Sequence, residues 1–147
     1  MNSRFKIISP VSESEFETYY RIRFEVLRKP WGQNFDSTSD ETDETSYHLL
    51  VLDEFGDGVA AGRIQFNSEI EAQIRSMAVM PQVRGCGIGS LLIKELEKVA
   101  REKGMKQMVL DSREGAVEFY LLHGYEITGD SYLLFGVIPH KAMKKTL

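Results

Sequence analysis

Two kinds of spacing alternate along the chain: short runs in which every second residue is apolar, and longer stretches in which apolar residues recur every three or four positions. The first kind is typical of half-buried strands. It predicts strands over residues 4–9, 47–53, 59–66, 72–79, 107–111, 125–128 and 132–137. Residues 55–58, Phe-Gly-Asp-Gly, predict a turn that joins the second and third of these strands into a hairpin.

The stretches with helical spacing lie between these strands and predict helices over residues 12–27, 90–103 and 114–123. Ser12 and Glu15 have the spacing of a capping box at the start of the first helix. The polar and acidic segment 33–46 predicts a loop or a weak helix. The order, a hairpin followed by strand–helix–strand–helix–strand, predicts an α/β (α+β) fold. We expect a mixed central sheet with helices on both faces, in one domain over residues 1–147.

The strand predicted over residues 72–79 carries one irregularity. Ala72 and Ile74 keep the period of two, but the next strongly apolar residues are Met77 and Val79. A step of three residues where two are expected predicts one inserted residue, a β-bulge near Ser76.

Composition narrows the function classes. The chain has 147 residues and a net charge of −4, whereas a non-specific nucleic-acid binder is normally basic, so we expect no nucleic-acid partner. Cys86 is the only cysteine, which excludes an intramolecular disulfide and a cysteine-based zinc site, and we expect no metal. Residues 1–10 lack the apolar run of a signal peptide, and no stretch has membrane-spanning length. We therefore expect a cytoplasmic protein without a membrane partner.

The candidate chemistry centres on three glycines at alternate positions, Gly85, Gly87 and Gly89, between a predicted strand and the second predicted helix. Glycines there let several backbone N–H groups point at one ligand, and the helix N-terminus and Arg84 add positive charge. We therefore predict a cradle for phosphate or pyrophosphate. The dinucleotide fingerprint fails because Ser90 stands in place of its last glycine, and no P-loop spacing is present. The alternative is a turn whose glycines only permit tight packing of strand against helix.

Residues 84–89, Arg-Gly-Cys-Gly-Ile-Gly, match the motif [RQ]-x-x-G-x-[GA], and with the segments around them they resemble the GNAT superfamily of N-acetyltransferases. Residues 77–79, Met-Ala-Val, resemble the bulged fourth strand of that family. Residues 113–125 resemble its later pattern N-x-x-A-x-x-[FL]-Y-x-x-x-G-F, except that Arg113 stands where Asn is most frequent. Residues 138–143, Ile-Pro-His-Lys-Ala-Met, are similar to the ElaA-like branch.

The resemblance implies a fourth strand splayed from the fifth, with the freed backbone binding the pantetheine arm of acetyl-CoA. It implies transfer of the acetyl group to a primary amine of a small molecule or peptide by direct attack. No acyl-enzyme is implied, so we read Cys86 as a small residue that fits between two glycines rather than as a nucleophile. Contacts to acetyl-CoA or CoA are implied for Met77, Ala78, Val79, Arg84, Gly85, Cys86, Gly87, Ile88, Gly89, Ser90, Arg113, Phe119 and Tyr120.

This reaction has two proton tasks, because the amine must lose a proton and the departing thiolate benefits from a donor. Tyr120 stands where the family has its thiolate-facing tyrosine, so the resemblance implies a general acid; the alternative is an aromatic that packs beside Phe119. His48 is the candidate base, and His140, which follows a proline, is a second candidate that closes one end of the site without an assigned role. His48 is alternatively a structural residue on a strand face. Ordered water held by glutamates or backbone carbonyls competes with both histidines.

The acceptor side leaves several alternatives open. Arg23 either binds an acidic acceptor or pairs with a carboxylate such as Glu25, and Trp31 either contacts the acceptor or anchors packing or an interface. The acidic residues of segment 36–44 either attract a cationic amine or form a solvated loop. Terminal strands and exposed aromatics are compatible with a homodimer. Two rival functions are a non-catalytic acyl-CoA sensor on the same fold and a binding module for another phosphate ligand.

Overall fold

The computed structural model describes residues 4–147. The helices are α1 (Glu13–Leu27), α2 (Ile88–Glu102) and α3 (Val117–Leu122). The strands are β1 (Lys6–Ile8), β2 (Tyr47–Leu52), β3 (Gly58–Phe66), β4 (Glu71–Val79), β5 (Gln107–Arg113), β6 (Glu126–Leu134) and β7 (Ile138–Thr146). They form a mixed sheet in the order β1-β2-β3-β4-β5-β7-β6, in which β4 and β5 run parallel and the other neighbours run antiparallel. Short 3₁₀ helices cover Lys29–Trp31, Phe35–Thr38, Glu41–Thr45, Pro81–Val83 and Glu114–Ala116.

Alternate residues of the sheet contribute to two separate cores. Leu49 and Val51 of β2 belong to the larger core, together with Leu92 of α2. Leu50, between them in sequence, lies in the smaller core with Tyr19 of α1. Because successive side chains of a strand point to opposite faces, α1 and α2 cover opposite faces of the sheet. The predicted fold class is therefore confirmed.

The bulge in β4 is present where the spacing predicts it. Arg63 of β3 is paired with Arg75 of β4, and Ala61 is paired with Ala78. Between these two pairs, the single residue Gly62 of β3 lies opposite two residues of β4, Ser76 and Met77, which means that β4 carries one extra residue. Ser76 lies at this point and has a positive φ of 52°, in the left-handed region that a residue other than glycine seldom adopts.

Strands β4 and β5 separate just before the bulge. Their pairing covers three residues on each strand and ends where Gln73 is opposite Val109. Both strands continue past this point, β4 to Val79 and β5 to Arg113. Since no ladder bonds join the two strands there, the sheet opens into a gap, and the predicted splay of the fourth strand from the fifth is confirmed.

The predicted helices are present with small changes at their ends. The Ser12 hydroxyl accepts a hydrogen bond from the backbone N–H of Glu15, and the Glu15 carboxylate accepts one from the N–H of Ser12, so the capping box is formed. Helix α2 begins at Ile88, two residues earlier than expected. The segment 33–46 contains two short 3₁₀ helices. No helix within the described part of the chain is long and apolar enough to cross a membrane.

The C-terminal strands differ from the prediction. The expected division into strands 125–128 and 132–137 is wrong, because a single strand, β6, covers residues of both ranges and runs without a break through the turn-like residues 129–131. Its register against β7 shifts twice, which disrupts the period of two that marks a regular strand. Strand β7 was not predicted, since lysines interrupt its apolar residues, and it lies between β5 and β6.

Candidate active site

A cleft of about 510 Å³ opens at the gap between β4 and β5 and extends to the N-terminus of α2. We call it the α2 cleft. Of the residues expected to contact CoA, the structure brings ten together in its wall: Met77, Val79, Arg84, Gly85, Gly87, Ile88, Gly89, Ser90, Phe119 and Tyr120. The remaining lining residues are Val83, Gly115 and Ala116.

The glycines of the turn before α2 serve two different purposes. Gly85 and Gly87 have φ values of 84° and 80°, and Gly87 is the N-cap of α2. This conformation favours glycine, and it places the first N–H groups of α2, which have no partner within the helix, beside the cleft. Gly89 lies inside the helix, where an added Cβ would approach the Phe119 ring to 3.2 Å. Tight packing therefore accounts for Gly89, and the anion cradle at Gly85 and Gly87 stays a prediction.

Three of the expected CoA contacts lie outside the wall of this cleft. The side chain of Ala78 is buried in the smaller core against α1. Cys86 is exposed and lines a separate, smaller pocket beside α2. Arg113 lines a different cavity, described below. Arg84 does lie in the wall of the cleft, where its Nε donates a hydrogen bond to the carbonyl of Val79 at 3.2 Å.

Tyr120 extends from α3 to the inner end of the α2 cleft. Its hydroxyl donates a hydrogen bond to the Met77 Sδ at 3.6 Å, and its ring packs edge-on against those of Phe119 and Tyr125. Burial raises the pKa of Tyr120 to about 12, because the phenolate is disfavoured away from water. The hydroxyl is therefore protonated throughout the physiological pH range.

A second cavity of about 310 Å³ lies on the other side of Tyr120. We call it the arginine cavity, since three of its lining residues are Arg28, Arg75 and Arg113; the others are Leu27, Ile74, Ser76, Met77, Tyr120, Tyr132, Leu134 and His140. Met77 and Tyr120 also line the α2 cleft. The two cavities therefore share these side chains as a wall, at the level of the β4 bulge.

His140 belongs to the wall of the arginine cavity. Its Nδ1 is 2.9 Å from the carbonyl oxygen of Ile138, and its ring stacks on Tyr132 with the centroids 4.7 Å apart. Since a carbonyl only accepts hydrogen bonds, Nδ1 must carry the proton of the neutral ring. The lone pair of neutral His140 is then on Nε2, the atom that accepts a proton when the ring acts as a base.

Arg113 and Trp31 lie next to each other at the edge of the arginine cavity. The Arg113 guanidinium is 5.9 Å from the centre of the Trp31 ring, and its Nη2 donates to the carbonyl of Leu27 at 3.3 Å. Burial lowers the pKa of Arg113. Trp31 itself is 42% exposed and does not line the cavity. Its contact with Arg113 holds the guanidinium from outside.

The structure places His48 and Arg23 away from both cavities. His48 is buried, and its two ring nitrogens lie 2.7 Å from the Tyr19 hydroxyl and from the carbonyl of Asp43. Burial lowers its pKa. The Arg23 guanidinium is 2.6 Å from the Asp43 carboxylate and donates to the carbonyl of Thr38. These contacts support the structural alternative for His48 and show that Arg23 pairs with a buried carboxylate.

The sequence reasoning missed several residues of the two cavities. Arg28 lies just after the predicted helix 12–27, and Arg75 and Tyr132 lie within predicted strands, so none of the three is expected at a site. The position of Arg75 could have indicated a site, because this charged residue lies directly before the bulge and close to the point where the pairing of β4 with β5 ends. Gly115 gave another signal, since it lies within the family pattern that begins at Arg113.

Among residues 4–147, no group of three or more His, Cys, Asp or Glu side chains is arranged to hold a metal ion. The polar side chains that line the two cavities are four guanidinium groups, two tyrosine hydroxyls, two serine hydroxyls and one imidazole.

Comparison with known proteins gives consistent results. The acetyltransferase (GNAT) family model matches residues 11–125, a range that includes every lining residue of the α2 cleft. The uncharacterized N-acetyltransferase YjcF of Bacillus subtilis is 29% identical over 141 residues, which cover 95% of this chain and 99% of YjcF.

Two solved structures illustrate the likeness of fold. ElaA of Escherichia coli has a TM-score of 0.80 at 22% identity, with 96% of this chain and 97% of ElaA covered. A GNAT family acetyltransferase from Elizabethkingia anophelis with acetyl-CoA bound has a TM-score of 0.80 at 14% identity, with 99% and 100% covered. At these identities the likeness is one of fold.

Proposed function

The chain belongs to the GNAT family of acetyltransferases, and from this we propose that it transfers an acetyl group from acetyl-CoA to a primary amine of a small molecule or peptide, by direct attack within a ternary complex. The observation that carries the proposal is the pair of cavities that share Tyr120 and Met77. A donor in the α2 cleft and an acceptor in the arginine cavity would meet at this wall.

The residues of the α2 cleft fit the parts of acetyl-CoA. The unpaired N–H groups at the start of α2 and the Arg84 guanidinium suit a pyrophosphate. The backbone of Met77 and Val79, past the end of the β4–β5 pairing, suits the amide groups of a pantetheine arm, which would bind as an added strand in place of the Arg84 Nε that now donates to the Val79 carbonyl. The related acetyltransferase from Elizabethkingia anophelis holds acetyl-CoA, which supports this assignment.

The proposed reaction forms one bond and breaks another. The amine nitrogen attacks the thioester carbonyl, a C–N bond forms, the C–S bond breaks, and the products are an amide and CoA thiol. The amine loses a proton to a base, and the sulfur gains one. Tyr120 donates a hydrogen bond to the departing sulfur, because its hydroxyl lies between the two cavities, and the thiolate then takes its proton from solvent. We propose the His140 Nε2 as the base, with ordered water as the competitor.

The test of this proposal is release of CoA thiol from acetyl-CoA against a panel of amines. Release that depends on one class of amine supports an enzyme. Binding of acetyl-CoA without release, over the whole panel, would instead support the sensor. If other nucleotides compete with acetyl-CoA for the site and bind with equal affinity, a binding module for another phosphate ligand would be supported. Because Cys86 is the only cysteine, so that no intramolecular disulfide can form, we keep the cytoplasm as the proposed location.

A substitution at Gly115 tests the donor site without straining the backbone. Gly115 lines the α2 cleft, has no positive φ, and a Cβ added there meets nothing within 4 Å. Gly115→Glu should weaken acetyl-CoA binding at least about tenfold, a loss of about 1.4 kcal/mol, because it adds negative charge and bulk to the cleft. Gly115→Gln should weaken it less. Isothermal titration calorimetry measures both.

The matched control for this substitution is Gly129→Glu. Gly129 lies on β6, is exposed, also has no atom within 4 Å of an added Cβ, and lines neither cavity. It should bind acetyl-CoA with unchanged affinity. Equal affinity of the folded Gly115→Glu variant and the parent would remove the α2 cleft as the donor site.

A further inference from the structure

The arginine cavity carries an excess of positive charge. Arg28 comes from the turn after α1, Arg75 from β4 beside the bulge, and Arg113 from the end of β5. No aspartate or glutamate is among the described residues that line it. This is unexpected on statistical grounds, because the chain as a whole has a net charge of −4.

Two of the three guanidinium groups have no carboxylate partner among residues 4–147. Arg28 donates to the carbonyl of Ser37 at 3.0 Å and to the carbonyl of Leu27 at 3.3 Å. Arg113 donates to the same Leu27 carbonyl at 3.3 Å. Two cations therefore converge on one neutral acceptor, and neither is neutralised by these contacts.

Arg75 has a weak partner. Its guanidinium is 3.7 Å from the Asp40 carboxylate, which is also 3.4 Å from Arg63 and is therefore shared. Its second contact is with the neutral side chain of Gln65. The positive charge of the cavity is thus balanced only in part by the protein.

Aromatic contacts hold these groups in place without neutralising them. The Arg28 guanidinium is 5.5 Å from the centre of the Phe135 ring, and that of Arg113 is 5.9 Å from the centre of the Trp31 ring. Burial, and then the neighbouring cations Arg23 and Arg113, lower the pKa of Arg28. The protein thus keeps like charges together at a cost, which an anion in the cavity would offset.

We propose that the acceptor amine carries an anionic group, a carboxylate or a phosphate, which Arg28 and Arg113 bind while the amine faces Tyr120 and His140. This deepens the proposed function and rests on it. The guanidinium fork matches both anions. A volume of about 310 Å³ is at the lower end for small-molecule sites, so the acceptor is a small molecule of amino-acid size.

Matched pairs of amines test the proposal. Each amino acid is compared with its primary amide, and phosphoethanolamine with ethanolamine, by CoA-thiol release at saturating acetyl-CoA. The amine of the amide is less basic and therefore more often neutral, so intrinsic reactivity favours the amide. A kcat/KM at least about tenfold higher for the anionic member is expected and reports binding of the anion. The pair with the larger ratio of kcat/KM, anionic to neutral member, shows whether the cavity prefers a carboxylate or a phosphate.

Variants assign the preference to the cavity. Arg28→Gln and Arg113→Gln should each lower kcat/KM for the anionic member about 10- to 100-fold, leave the neutral member within a few-fold, and leave acetyl-CoA affinity unchanged. Arg21→Gln, at an exposed position of α1 outside the cavity, is the control. Arg113→Lys keeps the charge and should retain part of the preference, which covers the case that Arg113→Gln does not fold.

The outcomes separate this inference from the proposed function. Turnover of neutral or cationic amines at equal or higher kcat/KM would leave an acetyltransferase and overturn the anionic acceptor. If no amine supports CoA-thiol release, the anion site is tested by binding. Glycine and inorganic phosphate are then titrated into CoA-saturated protein and followed by calorimetry. Binding that Arg28→Gln abolishes supports the anion site. Absence of binding, or competition of phosphate with CoA, overturns it.

Discussion

Replacement of Tyr120 by phenylalanine separates a hydrogen-bonding role from a packing role. The substitution removes one hydroxyl, which donates to the Met77 Sδ at 3.6 Å, and leaves the ring against Phe119 and Tyr125. A thioether is a weak acceptor, so loss of this hydrogen bond should change the free energy of unfolding by less than about 1 kcal/mol. The variant should therefore fold and keep the shape of both cavities.

The magnitude of the catalytic effect follows from the pKa of Tyr120. Burial raises it to about 12, whereas a free thiol has a pKa of about 8.5. Complete transfer of the proton from Tyr120 to a thiolate is therefore uphill by about 5 kcal/mol. We expect the hydroxyl to keep its proton and donate a hydrogen bond to the charge that develops on sulfur. A charge-assisted hydrogen bond contributes about 1.5–3 kcal/mol, which is about 10- to 150-fold in kcat.

The assay measures kcat and KM for the best amine between pH 6 and pH 10, together with the calorimetric affinity for acetyl-CoA. We expect Tyr120→Phe to lower kcat within that range and to leave the acetyl-CoA affinity within about twofold. The pH profiles of the two proteins should have the same shape, since Tyr120 does not ionise in this interval. Equal kcat would remove Tyr120 from the chemistry. If kcat of the parent protein falls with rising pH below pH 10, and this fall is absent in the variant, Tyr120 gives up its proton in the reaction.

Two further predictions concern the buried cluster under the 3₁₀ segment. Arg23→Gln should lower the free energy of unfolding, measured in urea, by about 3 kcal/mol, because it leaves the buried Asp43 carboxylate without its 2.6 Å partner. KM for the amine should stay unchanged. A raised KM would show that Arg23 belongs to the acceptor site. Burial lowers the pKa of His48 from 6.5, so as the pH falls the unfolded chain protonates His48 before the folded protein does. This group should therefore make the free energy of unfolding decline below about pH 6.5 and leave it level above that pH. Urea titrations of His48→Gln between pH 5 and pH 7.5 should show a smaller decline, and an unchanged one would contradict the assignment.

The donor half of the site was predictable because its determinants are local. A left-handed turn needs glycine, so Gly85 and Gly87 marked it in the sequence, and α2 followed with a clear apolar stripe. The step from Ile74 to Met77 marked the bulge, because a strand side chain changes face when one residue is inserted. Each of these signals lies within a few residues of the feature that it predicts.

The acceptor half was less predictable because separate elements form it. The turn after α1, β4 beside its bulge and the end of β5 each contribute one arginine to the arginine cavity, and strand β7 contributes His140. These residues do not share a sequence motif, and β7 was not predicted. Arg113 was expected in the donor site on the basis of its position in the family pattern, and only the tertiary structure places it across the wall.

The bulge connects the two halves. Without an inserted residue, a regular strand would place Arg75, Met77 and Val79 on one face and Ser76 on the other. In the structure Ser76 takes a positive φ, and the residues before and after it separate between the cavities: Arg75 and Ser76 line only the arginine cavity, and Val79 only the α2 cleft. Met77, directly after the bulge, lines both. One extra residue in β4, close to the point where β4 and β5 part, therefore separates the strand segment proposed to bind the donor from the guanidinium that lines the cavity proposed for the acceptor.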